Sequence, residues 1–409
     1  MFQLNKKLHF ASISMIVIGS LSLVIGFMSD AHSTWTNLLF NNYFFLGISL
    51  FAVVFVAIQY VAEAGWSTVF KRVPEAMMAF LPYAGIIMLF IVIAAVMHWN
   101  HIYHWLEPGI MDPNEPNYDK IIAGKEAYLN APSFLVRSIV YVIIWIYCAR
   151  KLRQLSIKGD LEGDIGERSF FKGLRVSGWF LVFFAVTSCT AAWDWIMSID
   201  THWFSTLFGW YIFSEWATIG FTTILLIALF LQKTGHLPDL NDSHIHDLGK
   251  FIFAFSIVWT YMWFSQFMLI WYANIPEEVT YFMQRIEQSN YSFLFWFSMV
   301  INFVVPLIML MSRDAKRNKT ILVIVSTVIL IGHWINSYLL FAPGTLFEHG
   351  HLGLLEVGVF LGLIGLFIQI VSRTLSKTSV EIKSHPYFCL LYTSPSPRDN
   401  RVSRMPSSA

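Results

Sequence analysis

Apolar residues come along this chain in long runs separated by polar turns. Ten runs lie near residues 9–28, 42–62, 76–98, 132–149, 174–199, 207–231, 249–273, 291–312, 320–341 and 352–372. A helix needs about 20 predominantly apolar residues to cross the hydrocarbon core of a bilayer. Soluble cores do not supply ten such runs in series. The pattern therefore predicts an all-α integral membrane protein with about ten transmembrane helices, forming one polytopic domain over 1–385.

The turns between the runs alternate in charge. Those on the side of both termini carry twenty basic residues, Lys71, Arg72, Arg150, Arg153, Arg313, Lys316 and Lys383 among them. The opposite turns carry only Lys120, Lys125 and Arg285. Cytoplasmic loops hold the excess of Lys and Arg, so both termini are expected to face the cytoplasm. The outer face then holds the long loop 99–131, Glu277, Glu278 and many aromatic and histidine side chains, which read mainly as an interfacial belt. Lys6 and Lys7 precede the first run with no small-residue cleavage site after it, which predicts a retained first span.

Composition supports the same class. Of 409 residues, 56% are hydrophobic and 13% charged. Soluble domains carry roughly 25% charged residues. A net charge of +1 and the lack of a basic stripe give no reason to expect a nucleic-acid partner. The cysteines Cys148, Cys189 and Cys389 form no C-x-x-C or ferredoxin-type run. Covalent haem and iron–sulfur clusters are therefore not expected as cargo. No Walker loop or dinucleotide fingerprint is present, which argues against an ATP-driven transporter. From Pro386 the text turns rich in Ser, Pro and Arg. Residues 391–399, LYTSPSPRD, resemble a translated sequencing-adapter read-through, so 386–409 is expected to be a disordered, non-native tail.

Ionisable residues inside spans are costly, about 2.5–3.5 kcal/mol each on insertion scales, so each is a candidate functional group. Here they are Arg137, Asp194, Glu215, His333 and Glu356, with Glu63 and Gln59 at a cytoplasmic helix end. All five in-span groups are expected in the outer half of the membrane. Helical spacing gives each polar company: Thr187, Thr190, Asp194 and Ser198; Tyr211, Glu215, Thr218 and Thr222; Ser326, His333 and Ser337 with Asn336 beside them. Such stripes could hold water and relay protons. Equally, Arg137 could pair with Asp194 or Glu215 to lock the bundle while the hydroxyls bond their own helices. Spans five and six share a short outer turn, so Asp194 and Glu215 are expected at similar depth, able to face each other. Only His333 lies well inside a span, so a bis-His haem is not expected. His98, His101 and His104 have i, i+3 spacing, but a helix end in the aromatic belt explains them without a metal. Gly358, Gly362 and Gly365 form a close-approach face, either within the chain or against a partner.

Three tracts read together as a family: VMHWNHIYHWL (96–106), AAWDWIMSIDTHWFSTLFGWY (191–211) and SHIHDLGKFIFAFSIVWTYMWFSQFMLIWYANIPEE (243–278). They resemble the NrfD-like superfamily of polysulfide-reductase membrane subunits and, more closely, the F subunit of bacterial alternative complex III, a quinol:cytochrome c oxidoreductase. The resemblance spans nearly all of 1–385. It implies a core of two four-helix bundles plus flanking helices in the bacterial inner membrane. It also implies a sister NrfD-like subunit, an iron–sulfur subunit and c-type cytochrome subunits as partners. The subunit would be non-redox and not catalytic alone, supporting proton translocation. A quinone, menaquinone or ubiquinone, belongs to the complex, and whether it touches this chain is left open. Asp194 and Glu215, and then His333 and Arg137, carry over as relay residues. A proton-coupled secondary transporter and a purely structural scaffold are the rival classes. Transporters usually show interrupted spans in both halves, whereas Pro306 is the only proline expected deep in a span here.

A reporter enzyme fused after residue 125 tests the charge-based orientation. It should be active only on the non-cytoplasmic side, and cytoplasmic activity there would reverse the assignment.

Overall fold

The computed structural model describes residues 2, 4–162 and 167–382, and every regular element among them is helical. Lys383, Cys389 and the expected tail 386–409 lie outside the described residues. Ten helices are long and apolar enough to cross a membrane: α1 (Lys6–Ser29), α2 (Ala31–Val61), α3 (Arg72–Val96), α4 (Ala131–Leu161), α5 (Arg168–Ile199), α6 (Phe208–Lys233), α7 (Asp242–Ala273), α9 (Ser289–Met309), α10 (Lys319–His349) and α11 (Leu354–Ser376). Between α7 and α9 lies a shorter amphipathic helix, α8 (Pro276–Glu287). The chain is a multi-pass membrane protein.

Helix contacts close into two four-membered rings. In the first, α2, α3, α4 and α5 pack in cyclic order, and in the second α6, α7, α9 and α10 do. The rings join where α2 meets α6 and α10 and where α5 meets α6. The pair α1 and α11 flanks the first ring against α2. Helix α2 is central, with nearly its whole length from Thr34 to Ala57 buried. In contrast, Phe10 of α1 is 74% exposed and Tyr272 of α7 is 90% exposed, as befits lipid-facing surfaces.

Two boundaries depart most from expectation: α4 runs on to Leu161 rather than ending near residue 149, and α2 begins early. The sequence places this span from residue 42, but the helix starts at Ala31, capped by the Asp30 side chain. Its first turns hold Thr34, Thr36, Asn37, Asn41 and Asn42, all buried. Polar residues normally mark an exit from the membrane. Here neighbouring helices satisfy them, so the helix continues.

Prolines shape the second ring. Pro306 follows a π-helical turn at Val300–Val304 in α9, a geometry that absorbs the missing N–H. Pro343 lies inside α10, beyond the boundary expected at residue 341. It cannot donate to the carbonyl of Leu339 four residues back, and the Arg285 Nε of α8 donates to that carbonyl instead at 3.0 Å.

The glycine face of α11 packs against α1 of this same chain. A Cβ on Gly362 would lie 2.8 Å from the Gly19 Cα, and one on Gly365 would lie 2.9 Å from the Met15 Cβ. Gly362→Leu should therefore prise α1 from α11. Overpacking of this kind typically costs about 1–3 kcal/mol. A thermal-unfolding midpoint in detergent that falls relative to wild type is the expected outcome, and an unchanged midpoint counts against the seam.

Candidate functional site

The in-span ionisable residues separate into distinct groups. Asp194 of α5 is fully buried and faces α4. Arg137 clasps it with two parallel bonds, Nε to Oδ2 at 2.9 Å and Nη2 to Oδ1 at 2.8 Å. This bidentate fork is the strongest ordinary geometry for a guanidinium and a carboxylate. The Tyr141 hydroxyl donates to the same Oδ2 at 3.0 Å. Arg137 is held in turn by the Tyr128 carbonyl at 3.1 Å and lies over the Tyr128 ring, 4.1 Å from its centroid. Tyr103 and Trp195 extend this network, donating to the Trp195 carbonyl at 3.1 Å and to the Ser138 Oγ at 2.9 Å respectively.

Glu215 of α6 has a different environment at the junction of the two rings. It is fully buried and accepts from the Tyr43 hydroxyl of α2 at 3.0 Å, while the Ser337 Oγ of α10 shares its one proton between Glu215 Oε1 at 3.2 Å and the His333 carbonyl at 2.9 Å. The His333 Nδ1 lies 3.8 Å from Oε1. That is too long for a direct hydrogen bond but within reach of one bridging water. His333 is itself fully buried, and neither ring nitrogen has a hydrogen-bond partner among the described residues. Trp259 of α7 meets the imidazole edge-on at 5.0 Å between centroids. Beside it, the Tyr211 hydroxyl donates to Asn336 Oδ1 at 2.9 Å, leaving the Asn336 Nδ2 unpaired. Reciprocal close packing fixes the α2–α6 register: Gly47 of α2 accommodates Trp216, and Gly220 of α6 accommodates Phe51, with no room for a Cβ at either glycine.

Asp194 and Glu215 share no hydrogen-bonding or ion-pair partner among the described residues, so the expected direct pairing of the two carboxylates is absent from this geometry. The expected hydroxyl stripes are also largely turned inward. Thr187, Thr190, Ser198, Thr218 and Thr222 donate to carbonyls of their own helices. Glu356 is occupied at the start of α11. Its Oε2 accepts from the Gly353 backbone N–H at 2.7 Å and its Oε1 from Asn37 Nδ2 at 2.8 Å. A carboxylate in that place completes a helix start. Glu63 lies just past the end of α2 with φ of +50°.

The sequence reading missed some buried charged groups: Glu75 of α3, 1% exposed and paired with the likewise buried Arg72, and an arginine of α8. Arg285 of α8 is 2% exposed. Its Nη2 reaches Asp200 Oδ2 at 3.1 Å, its Nη1 donates to the Tyr281 carbonyl at 2.6 Å, and its guanidinium sits 3.6 Å from the Tyr281 ring centroid. Tyr281 stacks on Trp203 at 3.9 Å. Burial pushes the Tyr281 hydroxyl up to about 12, against the pull of Arg285. Arg285, Tyr211, Gln266, Ser298 and Asn336 line a small cavity of about 20 Å³ of water-centre space, enough for about one water. The signal available in the sequence was a lone arginine on the outer side together with Pro343. At the rim, His202 meets Asp119 at 2.7 Å. Burial raises the Asp119 carboxyl, but the bonds from His202 and from the Ile122 and Ile121 N–H groups outweigh it and hold the carboxyl below its usual range. No group of three or more His, Cys, Asp and Glu side chains among the described residues could hold a metal ion.

Asp194 and Arg137 should behave as a structural pair. Removing one partner of a buried pair costs about 3–5 kcal/mol, and the partial exposure of Arg137, 22% at its side chain, favours the lower end. Asp194→Asn alone should lower the unfolding midpoint in detergent. Arg137→Met combined with Asp194→Leu should recover most of that loss, and a double variant as unstable as the sum of the singles would refute the pairing.

No protein-family model matches the chain and no curated protein matches it, so what this site does has to be inferred from its own chemistry.

Proposed function

We propose that this chain is a proton-handling, membrane-integral subunit of a respiratory quinol:cytochrome c oxidoreductase of the alternative complex III type. In that role it works in the bacterial inner membrane with a sister NrfD-like subunit, an iron–sulfur subunit and c-type cytochrome subunits. The observation that carries this reading is the Glu215–His333 pair. It joins two fully buried titratable groups 3.8 Å apart, at the seam between the two four-helix rings.

The chemistry follows from the partners. Glu215 is bonded by two neutral hydroxyls, and among the described residues no cation forms an ion pair with it apart from His333 when that ring is protonated. One proton on the pair leaves its net charge at zero whether it resides on the carboxyl or the imidazole. The proton can therefore move between Glu215 and His333 without a net charge entering the hydrocarbon, where an isolated charge is costly. Tyr43 and Ser337 hold the carboxylate in place for the exchange. Quinol oxidation by the partner subunits would supply the protons, which this chain would take up and pass on. Asp194, expected as a relay member, is better suited to locking α4 against α5, since Arg137 occupies both of its oxygens. A secondary transporter is less well supported. Its interruptions would fall at matching positions of the two halves, whereas here a 3-10 turn at Met78–Phe80 before Pro82 breaks the second helix of the first ring, and the π turn of α9 and Pro343 of α10 lie in the third and fourth helices of the second.

The test is made on the intact complex in sealed vesicles. Glu215→Gln and His333→Gln should each assemble normally while lowering quinol-driven proton release, on the order of a hundredfold in rate if the pair is obligatory. Asp194→Asn should instead lower the yield of complex. Undiminished proton release per electron in both the Glu215 and His333 variants would remove the proton-handling role.

A further inference from the structure

A second built feature lies away from the acid–imidazole pair, between α3 and α4. A groove of about 460 Å³ runs along the seam of these helices. Helix α3 contributes Ala79, Pro82, Tyr83 and Ile86 to it, and helix α4 contributes Arg150, Arg153, Gln154 and Ile157. Both sets follow i, i+3, i+4, i+7 spacing, so each is one face of its helix. Gly85 packs beside Val142 and Ile146, which fixes the antiparallel register. Tyr83 and Ile86 therefore form the end of the groove nearer the membrane middle, and Arg153 and Gln154 the end farther from it.

Depth and charge identify the occupant. Helix α4 is 31 residues long, about 46 Å at 1.5 Å per residue, well beyond the ~30 Å hydrocarbon core. From Ser138 to Ala149 it carries no charge, and Arg150 is the first charge after Arg137. The arginines thus stand at headgroup depth, while Tyr83 and Ile86, 49% and 63% exposed, stand at acyl-chain depth. Glu75 lies near enough to Arg153 to act on it electrostatically, but the ion pair of Glu75 is made elsewhere. Arg72 binds both Glu75 and Asp160. Arg153 donates to the Thr374 carbonyl of α11 at 3.3 Å, and neither Arg150 nor Arg153 has a carboxylate partner among the described residues. The result is a pair of guanidinium groups and an amide at one end of an apolar trough.

We propose that this groove binds an anionic phospholipid, its phosphate held by Arg150 and Arg153 and the upper part of one acyl chain lying along Tyr83 and Ile86. Guanidinium suits this task because its planar fork meets phosphate oxygens bidentately. The groove formed by Leu226, Phe230, Lys233, Lys319 and Val323 provides an internal comparison. It also pairs two cations with apolar walls, but its cations are lysines, point charges without the fork.

The test uses the membrane-extracted protein with its copurifying chains, reconstituted in nanodiscs of phosphatidylcholine doped with phosphatidylglycerol. Native mass spectrometry then counts the phosphatidylglycerol retained after the belt is stripped. The expected result is retention of phosphatidylglycerol over phosphatidylcholine. The double variant Arg150→Gln, Arg153→Gln should lose it about tenfold or more, and the matched-charge variant Lys233→Gln, Lys319→Gln should keep it. Ile86→Trp, which fills the acyl end without changing charge, should also lose it. Inorganic phosphate should fail to displace the lipid, whereas displacement would assign the site to free phosphate and overturn the lipid proposal. Equal retention of the two lipids by wild type, or equal retention by the arginine and lysine variants, would overturn it too.

Discussion

The fold depends on one constraint, that a polar group inside the hydrocarbon must find its partner within the protein. Helix α2 meets it over a single stretch of seven residues. Asn37 donates to Glu356 of α11, Asn41 accepts from the Trp334 indole of α10 at 2.8 Å, Asn42 donates to the Ala84 carbonyl of α3 at 3.0 Å, and Tyr43 donates to Glu215 of α6. Four different helices are thus tied to one. Interhelical hydrogen bonds of this kind average ~0.6 kcal/mol each, so their sum is modest. Their larger effect is positional. A shift of α2 by one turn would leave several buried donors and acceptors without partners, each at about 1–3 kcal/mol.

That anchoring explains why two carboxylates of similar expected depth take different roles. Asp194 sits against α4, where Arg137 is partly exposed and the Tyr128 carbonyl can complete the guanidinium's bonding. An ion pair there keeps some contact with the solvated rim. Glu215 sits where α2, α6 and α10 converge, behind the interlocked Gly47–Trp216 and Gly220–Phe51 contacts. No Lys or Arg pairs with it among the described residues. Its neighbours are hydroxyls and an imidazole, groups that fit a crowded seam and can exchange a proton.

Much of this architecture is legible in the sequence because bilayer thickness fixes helix length. Nine of the ten spans start within about eight residues of where hydropathy places them. The exception, α2, shows what hydropathy misses. Asn37, Asn41 and Asn42 look like a membrane exit unless their partners on α11, α10 and α3 are known. The site was legible as a set of residue types but not as pairings. Spacing places Asp194 and Glu215 on defined faces of α5 and α6, but the rotation of each helix about its axis is set by packing against a third helix. Arg137 draws Asp194 toward α4, and Tyr43 draws Glu215 toward α2. The Arg285 role depends on a longer-range coincidence, a proline on α10 facing an arginine on α8.

That coincidence bears on how α8 is held. Pro343 leaves the Leu339 carbonyl without its helical donor, and a buried carbonyl in that state is expensive. Arg285 answers it with Nε, while its other nitrogens reach Asp200 and the Tyr281 carbonyl and its face rests on the Tyr281 ring. A guanidinium held at so many points cannot swing inward through the small cavity beside Tyr211 and Asn336. Glu215 does not line that cavity, and its own partners are Tyr43, Ser337 and His333. The proline in α10 therefore does more than bend a helix. It gives the buried arginine of α8 a carbonyl to bind, and so ties α8 to α10.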